Sequence, residues 1–374
     1  MEGQAPFQLG VPAADLAGLT KIEGPFLSLY LPLEPEIDNA SQKSRATWKA
    51  ARQELEEIGA PANALDRIDD LVPDAHQHGR CLAAIAHASG LLHVEHGPKA
   101  PPATRFAWAP LPSLAPILEW RQLQPSHLLV LVDRTGADLV AFAGEDSLDR
   151  RQVGTVDDDP IRKVKPGGWS QRRYQERAEH TWENNAEAVV QEVSRMAKQF
   201  DASLIVAAGD VRALELLERD LPKELADRFV VAGGGRAAGT DREETLEEAR
   251  RQVEILVDQE TGAILDRLRE EVGQRDLAVQ GKDNTLEAAS RAQIDTLLLY
   301  DDPEDDRPAY FTSDPIPVAA TETRLEELGI EPRIKGRLID VLIRAALGTG
   351  GSVRMIPGES GVADNVAALL RWTS

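Results

Sequence analysis

The sequence predicts an α/β protein built from three domains. Short runs of β-favouring residues alternate with helical patterns along the chain, and this alternation is typical of layered α/β domains. At 374 residues the chain is long enough for two or three domains of ordinary size. Its composition, 42% hydrophobic and 28% charged, is that of a globular protein. We place the predicted domains at residues 1–120, 121–238 and 239–374.

The first section is predicted to be a small α/β domain. A strand pattern lies between Pro25 and Pro32, and a later pair of apolar runs flanks a Ser-Gly turn, as in a hairpin. A proline-rich stretch over 98–116 indicates connecting chain. The predicted elements are a strand at Phe26–Leu31, helices over 40–58 and 62–76, hairpin strands at Cys81–Ala86 and Leu91–Val94, and a short strand at Phe106–Trp108.

The second section is predicted to be an α/β domain with a mostly parallel sheet. Two apolar runs joined by a tight Gly-containing turn open it. Apolar or small residues then recur every three or four positions from Trp182 to Phe200, which predicts an amphipathic helix. The other predicted elements are strands at His127–Val132 and Ala137–Phe142, a strand at Leu204–Ala208, a helix over 211–219 and a strand at Phe229–Ala232.

The third section is predicted to be a second α/β domain, which begins after a glycine-rich stretch. A long polar helix opens it, and strands then alternate with helices up to the C-terminal region. The predicted elements are helices over 242–271, 284–291 and 337–347, an extended segment over 276–280, and strands at Thr296–Tyr300 and Ser352–Ile356.

Charge is distributed unevenly along the chain. The net charge of −21 argues against a nucleic-acid partner, because phosphate binding depends on clustered Lys and Arg. The three sections carry −6, −3 and −12, so most of the acid is C-terminal. Within the second section, however, Ile161–Arg177 holds six basic residues and one acidic residue. These basic residues are Arg162, Lys163, Lys165, Arg172, Arg173 and Arg177.

Two glycines and a tryptophan lie inside this basic stretch. Gly167 and Gly168 permit backbone conformations closed to other residues and a close approach to another surface. Trp169 at such a loop tip can stack on an unpaired base while arginines bind phosphate, a combination used for single-stranded nucleic acid. The alternative is a solvated helix start with a buried tryptophan, and the residues leave both open.

Other candidate motifs favour structural roles. The stretch Gly233–Gly239 departs from the dinucleotide-binding spacing, so we favour an interdomain turn over a cofactor loop. Five histidines between His76 and His96 lack a metal-binding motif and are better explained as structural. Ser170 lacks the glycine that a nucleophile elbow needs, because Arg172 occupies that place. We therefore predict no catalytic residue, no metal site and no cofactor.

The remaining features predict a cytoplasmic protein. No apolar run is long enough for a membrane span, and the N-terminal residues lack the pattern of a secretory signal. The single cysteine, Cys81, excludes an internal disulfide and is in keeping with a reducing compartment.

The basic stretch carries a family resemblance. Gly167-Gly168-Trp169-Ser170 and the basic residues after it resemble the Gly-Gly-Gln loop and basic helix of eukaryotic and archaeal class I release factors. The hairpin over 128–142, the turn over 232–236 and the segment over 288–299 resemble release factor and Pelota proteins. The C-terminal ending is similar to bacterial members of that superfamily, including actinobacterial dormancy-associated proteins and Balon-type ribosome hibernation factors. The resemblance covers about residues 120–374, and the N-terminal section is a looser match.

This resemblance implies a fold and a set of partners. It implies a release-factor-like central domain and a C-terminal α/β domain like ribosomal protein L7Ae. It also implies binding to ribosomal RNA in the A site, with the loop reaching toward the tRNA acceptor end or the peptidyl transferase centre. A translational GTPase such as elongation factor Tu is the implied protein partner.

One position departs from the release-factor pattern. In release factors the loop glutamine helps to place water against the ester of peptidyl-tRNA, and Trp169 stands at that position here. An indole has one donor and no acceptor, so it does not orient water as an amide does. We therefore expect a ribosome hibernation or stalled-ribosome factor, as in a stress response, without peptide-release activity.

Two other functions remain open at this stage. The first is a peptidyl-tRNA hydrolase of ribosome rescue or quality control, in which backbone groups of the Gly-Gly turn support slow hydrolysis. The second is a structural or regulatory protein that has no ribosome contact.

Overall fold

The computed structural model describes residues 13–34, 38–77, 79–97, 99–133, 135–143, 146–154, 186–233, 242–274 and 276–372. Its chain forms two compact units, Leu123–Glu260 and a second unit made of Gly10–Gln122 with Thr261–Ser374. The mixed α/β class predicted from the sequence is confirmed. None of the helices in the described ranges is both long and apolar enough to cross a membrane.

The N-terminal section folds around a four-stranded antiparallel sheet of order β3-β2-β1-β4. The predicted strands are confirmed, whereas helices α1 and α4 were not predicted. Helix α3 ends well before the predicted limit at residue 76, because Pro73 disfavours helical backbone in the residue before it. The elements are α1 Ala14–Leu19, β1 Phe26–Pro32, α2 Ala40–Glu57, α3 Ala62–Asp69, β2 Cys81–His87, β3 Gly90–Gly97, β4 Arg105–Ala109 and α4 Ala115–Leu123.

Strand β1 is buried on both faces, because successive side chains of a strand point to opposite sides. Leu27, Leu29 and Leu31 join a core that includes Trp48 of α2. Tyr30 points into the other core, which also contains residues from the C-terminal section. The N-terminal sheet is therefore covered on both sides.

The central section contains a five-stranded sheet of order β7-β6-β5-β8-β9. Strand β5 pairs parallel with β8, and β8 pairs parallel with β9, whereas β6 pairs antiparallel with both of its neighbours. The elements are β5 His127–Asp133, β6 Gly136–Ala143, β7 Asp146–Gly154, α5 over 186–199, β8 Leu204–Gly209, α6 Val211–Asp220, α7 Lys223–Ala226 and β9 Phe229–Val231.

The central sheet corrects one prediction and confirms another. It is mixed rather than mostly parallel, because β7 extends the predicted hairpin by one more strand. This edge strand was missed because it is largely polar; among its described side chains, Val153 packs against the core. The predicted amphipathic helix is confirmed over 186–199, where Val189, Val193 and Met196 are buried.

The C-terminal section contains a four-stranded sheet of order β10-β15-β11-β14 and a two-stranded sheet, β12-β13. The predicted long helix and the strands at β11 and β14 are confirmed. Strand β15 was missed, since a continuous run of five apolar residues is compatible with either a buried strand or a helix segment. The elements are α8 Arg242–Gln274, β10 Ala278–Gln280, α9 Lys282–Ser290, β11 Ile294–Leu299, β12 Pro308–Phe311, α10 Glu322–Glu327, β13 Ile334–Arg337, α11 Leu338–Gly348, β14 Ser352–Met355 and β15 Val366–Leu370.

Helix α8 contributes to two different cores. In its first half, Ala249, Val253 and Val257 pack with residues of the central strands. In its second half, Leu265 and Leu268 pack with strands of the C-terminal section. Each predicted domain holds one main sheet, while the predicted limits of the domains stay a proposal.

The N-terminal and C-terminal sections share one hydrophobic core. Residues of β1 and α4 pack there together with residues of α11. Polar contacts reinforce this joint: the Gln122 amide donates to the Met355 carbonyl at 2.7 Å and accepts from the Met355 N–H at 2.8 Å. The Arg344 guanidinium donates to the Thr20 carbonyl at 3.3 Å. Burial of these paired groups makes the joint part of the fold of its unit.

We predict that Gly209→Ala destabilises the central unit by more than about 2 kcal/mol. Gly209 has a φ of +146°, and a Cβ there would lie 1.8 Å from the Val132 carbonyl oxygen. Hydrogen exchange of β5 and β8, together with the thermal unfolding midpoint, measures the loss. Gly262→Ala is the matched control, because it meets nothing within 4 Å in α8 and should stabilise by about 0.5–1 kcal/mol. Equal effects of the two substitutions would contradict the packing argument.

Candidate nucleic-acid interface

The predicted RNA-binding residues lie outside the described residues, so their roles stay a prediction. They fall in the stretch 155–185, between the end of β7 and the described start of α5. The residues are Arg162, Lys163, Lys165, Gly167, Gly168, Trp169, Arg172, Arg173 and Arg177. What the structure describes is the place where this stretch leaves the sheet and the place where the chain returns.

After β7 the chain leaves the central sheet on the side where four of the five strands of the sheet end. Strand β7 is antiparallel to β6, which is antiparallel to β5, so β7 runs in the same direction as β5. Strands β8 and β9 also run in that direction. The last residues of these four strands, Asp133, Gly154, Gly209 and Val231, therefore mark one side of the sheet, which we name the carboxyl edge.

The chain returns from the stretch at the same edge. Ala186, the first described residue of α5, lines a small pocket beside the end of β5 and the turn into β6. The lining residues are Val132, Asp133, Gly136, Ala186, Val189, Ala213 and Leu217. The described residues that flank 155–185, Gly154 and Ala186, thus both lie at the carboxyl edge. The glycine-rich stretch after β9 begins there too, and its residues 234–239 lie outside the described residues.

Two aspartates at the carboxyl edge hold the backbone in place. Asp133 Oδ1 accepts hydrogen bonds from the N–H of Thr135 at 2.7 Å and of Gly136 at 3.0 Å, which stabilises the turn between β5 and β6. Asp210 caps α6 by accepting from the N–H of Arg212 at 3.1 Å and of Ala213 at 3.3 Å. Both carboxylates are committed to backbone donors, and their role is structural.

Sequence reasoning did not single out Gly209 and Asp210, although a signal was present. The dipeptide follows an apolar strand and precedes the helical pattern that begins at Val211. An aspartate in that place is a typical N-cap. The backbone N–H of Asp210 also donates to the Val132 carbonyl at 3.0 Å, which ties the start of α6 to β5.

The body of the central domain is acidic. Residues 126–154 and 186–233 together contain 14 acidic and nine basic residues. Several of the basic side chains already form ion pairs: Arg151 with Asp149 at 2.9 Å, and Arg195 with Glu192 at 2.6 Å. The Arg195 guanidinium holds the pKa of Glu192 below its usual value. Attraction to phosphate is therefore concentrated in the stretch that contains Arg162–Arg177.

The histidine-rich segment shows local contacts. His87 lies on β2 with its Nδ1 2.9 Å from the Ser89 hydroxyl, and His93 lies on β3 with its Nε2 3.1 Å from Glu95. No group of three metal-binding side chains occurs within the ranges that the structure describes.

Comparison with known proteins supports the predicted family. Residues 126–274 match the profile of bacterial archaeo-eukaryotic release factor family 2, which confirms the resemblance over the central section. The Balon-type assignment and the L7Ae-like C-terminal domain stay predictions. The uncharacterized protein Rv2629 of Mycobacterium tuberculosis (strain H37Rv) is 26% identical over 366 residues, with 96% of each chain covered.

Solved structures of release-factor and Pelota proteins are similar to the chain at low identity. The archaeal translation termination factor aRF1 is 14% identical, with 96% of each chain covered and a TM-score of 0.25. The archaeal Pelota in a ribosome-bound model with ABCE1 is 13% identical, with 99% of this chain and 95% of that chain covered and a TM-score of 0.39. Pelota from Archaeoglobus fulgidus is 17% identical, with 78% and 79% covered and a TM-score of 0.32.

Removal of the α6 cap should weaken the carboxyl edge. We predict that Asp210→Ala costs about 1 kcal/mol and raises hydrogen exchange in the first turn of α6, because two N–H groups lose their acceptor. Asp210→Asn is the matched control, since asparagine caps equally well. Urea unfolding and peptide-level exchange measure both effects. If the alanine and asparagine variants behave alike, the capping role assigned to Asp210 is wrong.

Proposed function

We propose, with the match of residues 126–274 to bacterial archaeo-eukaryotic release factor family 2 as the premise, that this chain is a ribosome-associated translation factor. It binds the ribosomal A site as a hibernation or stalled-ribosome factor, and it acts in the cytoplasm. The observation that carries the proposal is that the residues on either side of 155–185, Gly154 and Ala186, lie at the carboxyl edge of an acidic domain body.

Each residue type in the basic stretch has a proposed task. The arginines at 172, 173 and 177 bind ribosomal RNA phosphates, for which the guanidinium fork is well suited. Arg162, Lys163 and Lys165 add positive charge on the other side of the two glycines. Gly167 and Gly168 permit close approach to RNA, and Trp169 stacks on a base near the tRNA acceptor end or the peptidyl transferase centre.

The acidic third section is proposed to contact protein. It carries a net charge of −12, which repels RNA and suits a partner with a basic face. Salt bridges along α8, such as Arg250 with Glu247, leave its acidic residues in excess. A translational GTPase such as elongation factor Tu is the proposed partner.

Ribosome binding should depend on the three arginines of the basic stretch. We expect the purified full chain to co-sediment with vacant ribosomes and to dissociate as salt rises, because binding to phosphates releases counterions. Replacing Arg172, Arg173 and Arg177 with glutamate should abolish co-sedimentation.

A charge-matched variant separates a site from a net-charge effect. Replacing Arg150, Arg212 and Arg219 with glutamate makes the same change in charge on the described, exposed surface of the central domain. We expect this variant to retain binding. Equal loss in both variants would contradict the assigned site, and no binding by the unchanged chain at low salt would overturn the proposed function.

Peptide release is expected to be absent. We predict that ribosomes holding peptidyl-tRNA release no more peptide with this chain than without it, since Trp169 offers no acceptor to orient water. The assay measures labelled peptide freed per ribosome. Release above background that falls in Gly168→Val would contradict the non-catalytic assignment and favour a peptidyl-tRNA hydrolase.

A further inference from the structure

Four charged side chains meet inside the unit formed by the N-terminal and C-terminal sections. One comes from β4, one follows β11, and two lie at the start of α11. They are Arg105, Asp301, Arg337 and Asp340, and we name them the charge cluster. The cluster lies at the joint between the N-terminal sheet and α11.

Asp301 holds the cluster together with two ion pairs. Its Oδ2 lies 2.9 Å from Arg105 Nη2, and its Oδ1 lies 2.6 Å from Arg337 Nη1. The residue is only 8% exposed, so these pairs are shielded from water and salt. Through them a single carboxylate joins a guanidinium of the N-terminal sheet to one at the start of α11.

Each side-chain nitrogen of Arg337 contacts an acceptor in the segment that follows β11. Its Nε donates to the Asp305 carbonyl at 2.7 Å, its Nη2 donates to the Asp302 carbonyl at 2.6 Å, and its Nη1 contacts Asp301. The guanidinium is therefore held against the segment that follows β11.

Asp340 is the member of the cluster that forms no ion pair with the other residues that the structure describes. It is 6% exposed, and its Oδ1 has no hydrogen-bond partner in the described parts of the chain. Burial disfavours an ionised carboxylate strongly when no donor satisfies it. Burial raises the pKa of Asp340 to about 7, with Asp301 adding to the rise and the two arginines opposing it.

Two further titratable groups lie near the charge cluster. Tyr30 of β1 has a raised pKa, mainly through burial, and its hydroxyl donates to the Ser113 carbonyl, so it stays neutral near pH 7. Glu119 of α4 also has a pKa raised by burial, which the charge of Lys99 opposes. Asp340 and Glu119 are thus the two carboxyl groups to separate in an experiment.

We propose that Asp340 is a proton-operated latch of the joint between the N-terminal sheet and α11. With a proton on Asp340 the buried carboxyl group is neutral and the joint is tight. When the proton is lost to solvent, the joint contains an ionised carboxylate without a donor, and it loosens. This device is independent of the proposed function, because none of its residues belongs to the basic stretch.

The direction of the pH effect follows from the raised pKa. A carboxyl group that binds its proton more tightly in the folded state contributes stability that is fully present below its unfolded pKa of 3.8. That contribution is lost as the pH rises through about 7. Between pH 6 and pH 8, one unit below and one unit above this pKa, the protonated fraction of Asp340 falls about tenfold. Local opening should rise by about the same factor.

Hydrogen exchange of the full chain at pH 6, 7 and 8 tests the latch. After correction for the intrinsic pH dependence of exchange, we expect about tenfold more opening in β1, β4 and α11 at pH 8 than at pH 6. Asp340→Asn should abolish this rise, because the amide is neutral throughout. Glu119→Gln is the matched control and should leave the rise in place. A rise that persists in Asp340→Asn, or that disappears in Glu119→Gln alone, would overturn the proposal.

A second measurement uses the unchanged protein, so it does not depend on whether a variant folds. Infrared difference spectra of the unchanged protein between pH 6 and pH 8 should show the loss of a protonated carboxyl band and the gain of a carboxylate band. Absence of any carboxyl titration in this interval would also overturn the latch.

Discussion

The parallel pairing of β5 with β8 is the constraint on which the candidate interface depends. The two strands are in register from His127 opposite Leu204 to Val132 opposite Gly209, so they end together. Parallel strands require a long crossover, and here that crossover contains β6, β7, the basic stretch and α5. Because the hairpin partner β6 reverses direction and β7 reverses it again, the stretch begins at the edge where β5 and β8 end. A short connection at that point would be incompatible with parallel pairing.

Basic and acidic residues are concentrated in different parts of the chain. The body of the central domain and the third section are acidic, and Arg151, Arg195 and Arg219 of the central domain form local ion pairs. Exposed pairs of this kind add little stability, but they do reduce the positive potential available to RNA. If the proposed function holds, a basic stretch on an acidic body concentrates phosphate contact in that stretch. The acidic surroundings favour specificity over affinity.

The joint between the N-terminal and C-terminal sections combines apolar packing with a cluster of buried charges. Most of it is apolar, with Tyr30 and α11 in the same core, and such burial is insensitive to pH. The charge cluster is the exception, since Asp301 pairs with both arginines while Asp340 is buried without a donor. An unpaired buried carboxyl group reduces stability when it ionises, and the same property makes the joint responsive to protons.

Local patterns in the sequence were sufficient for most elements of the fold. Apolar runs of β-favouring residues identified β1, β5 and β8, and a period of three to four residues identified the amphipathic helix, because each of these presents one or two apolar faces to a core. The basic stretch and its glycines were also visible from composition alone. Strand β7 was missed because it is largely polar. Strand β15 was missed because its continuous apolar run fits a strand or a helix segment equally well.

Only the tertiary structure decided which of these elements lie together. Strand order and direction arise from contacts between residues far apart in the chain, so the sequence did not show that four strands end at the carboxyl edge. The burial of Asp340 beside Arg105 likewise joins residues separated by more than half of the chain. The sequence by itself indicated most of the elements and the charge of the basic stretch, because these depend on near neighbours. The place of that stretch and the environment of the buried charges depend on packing, which long-range contacts alone define.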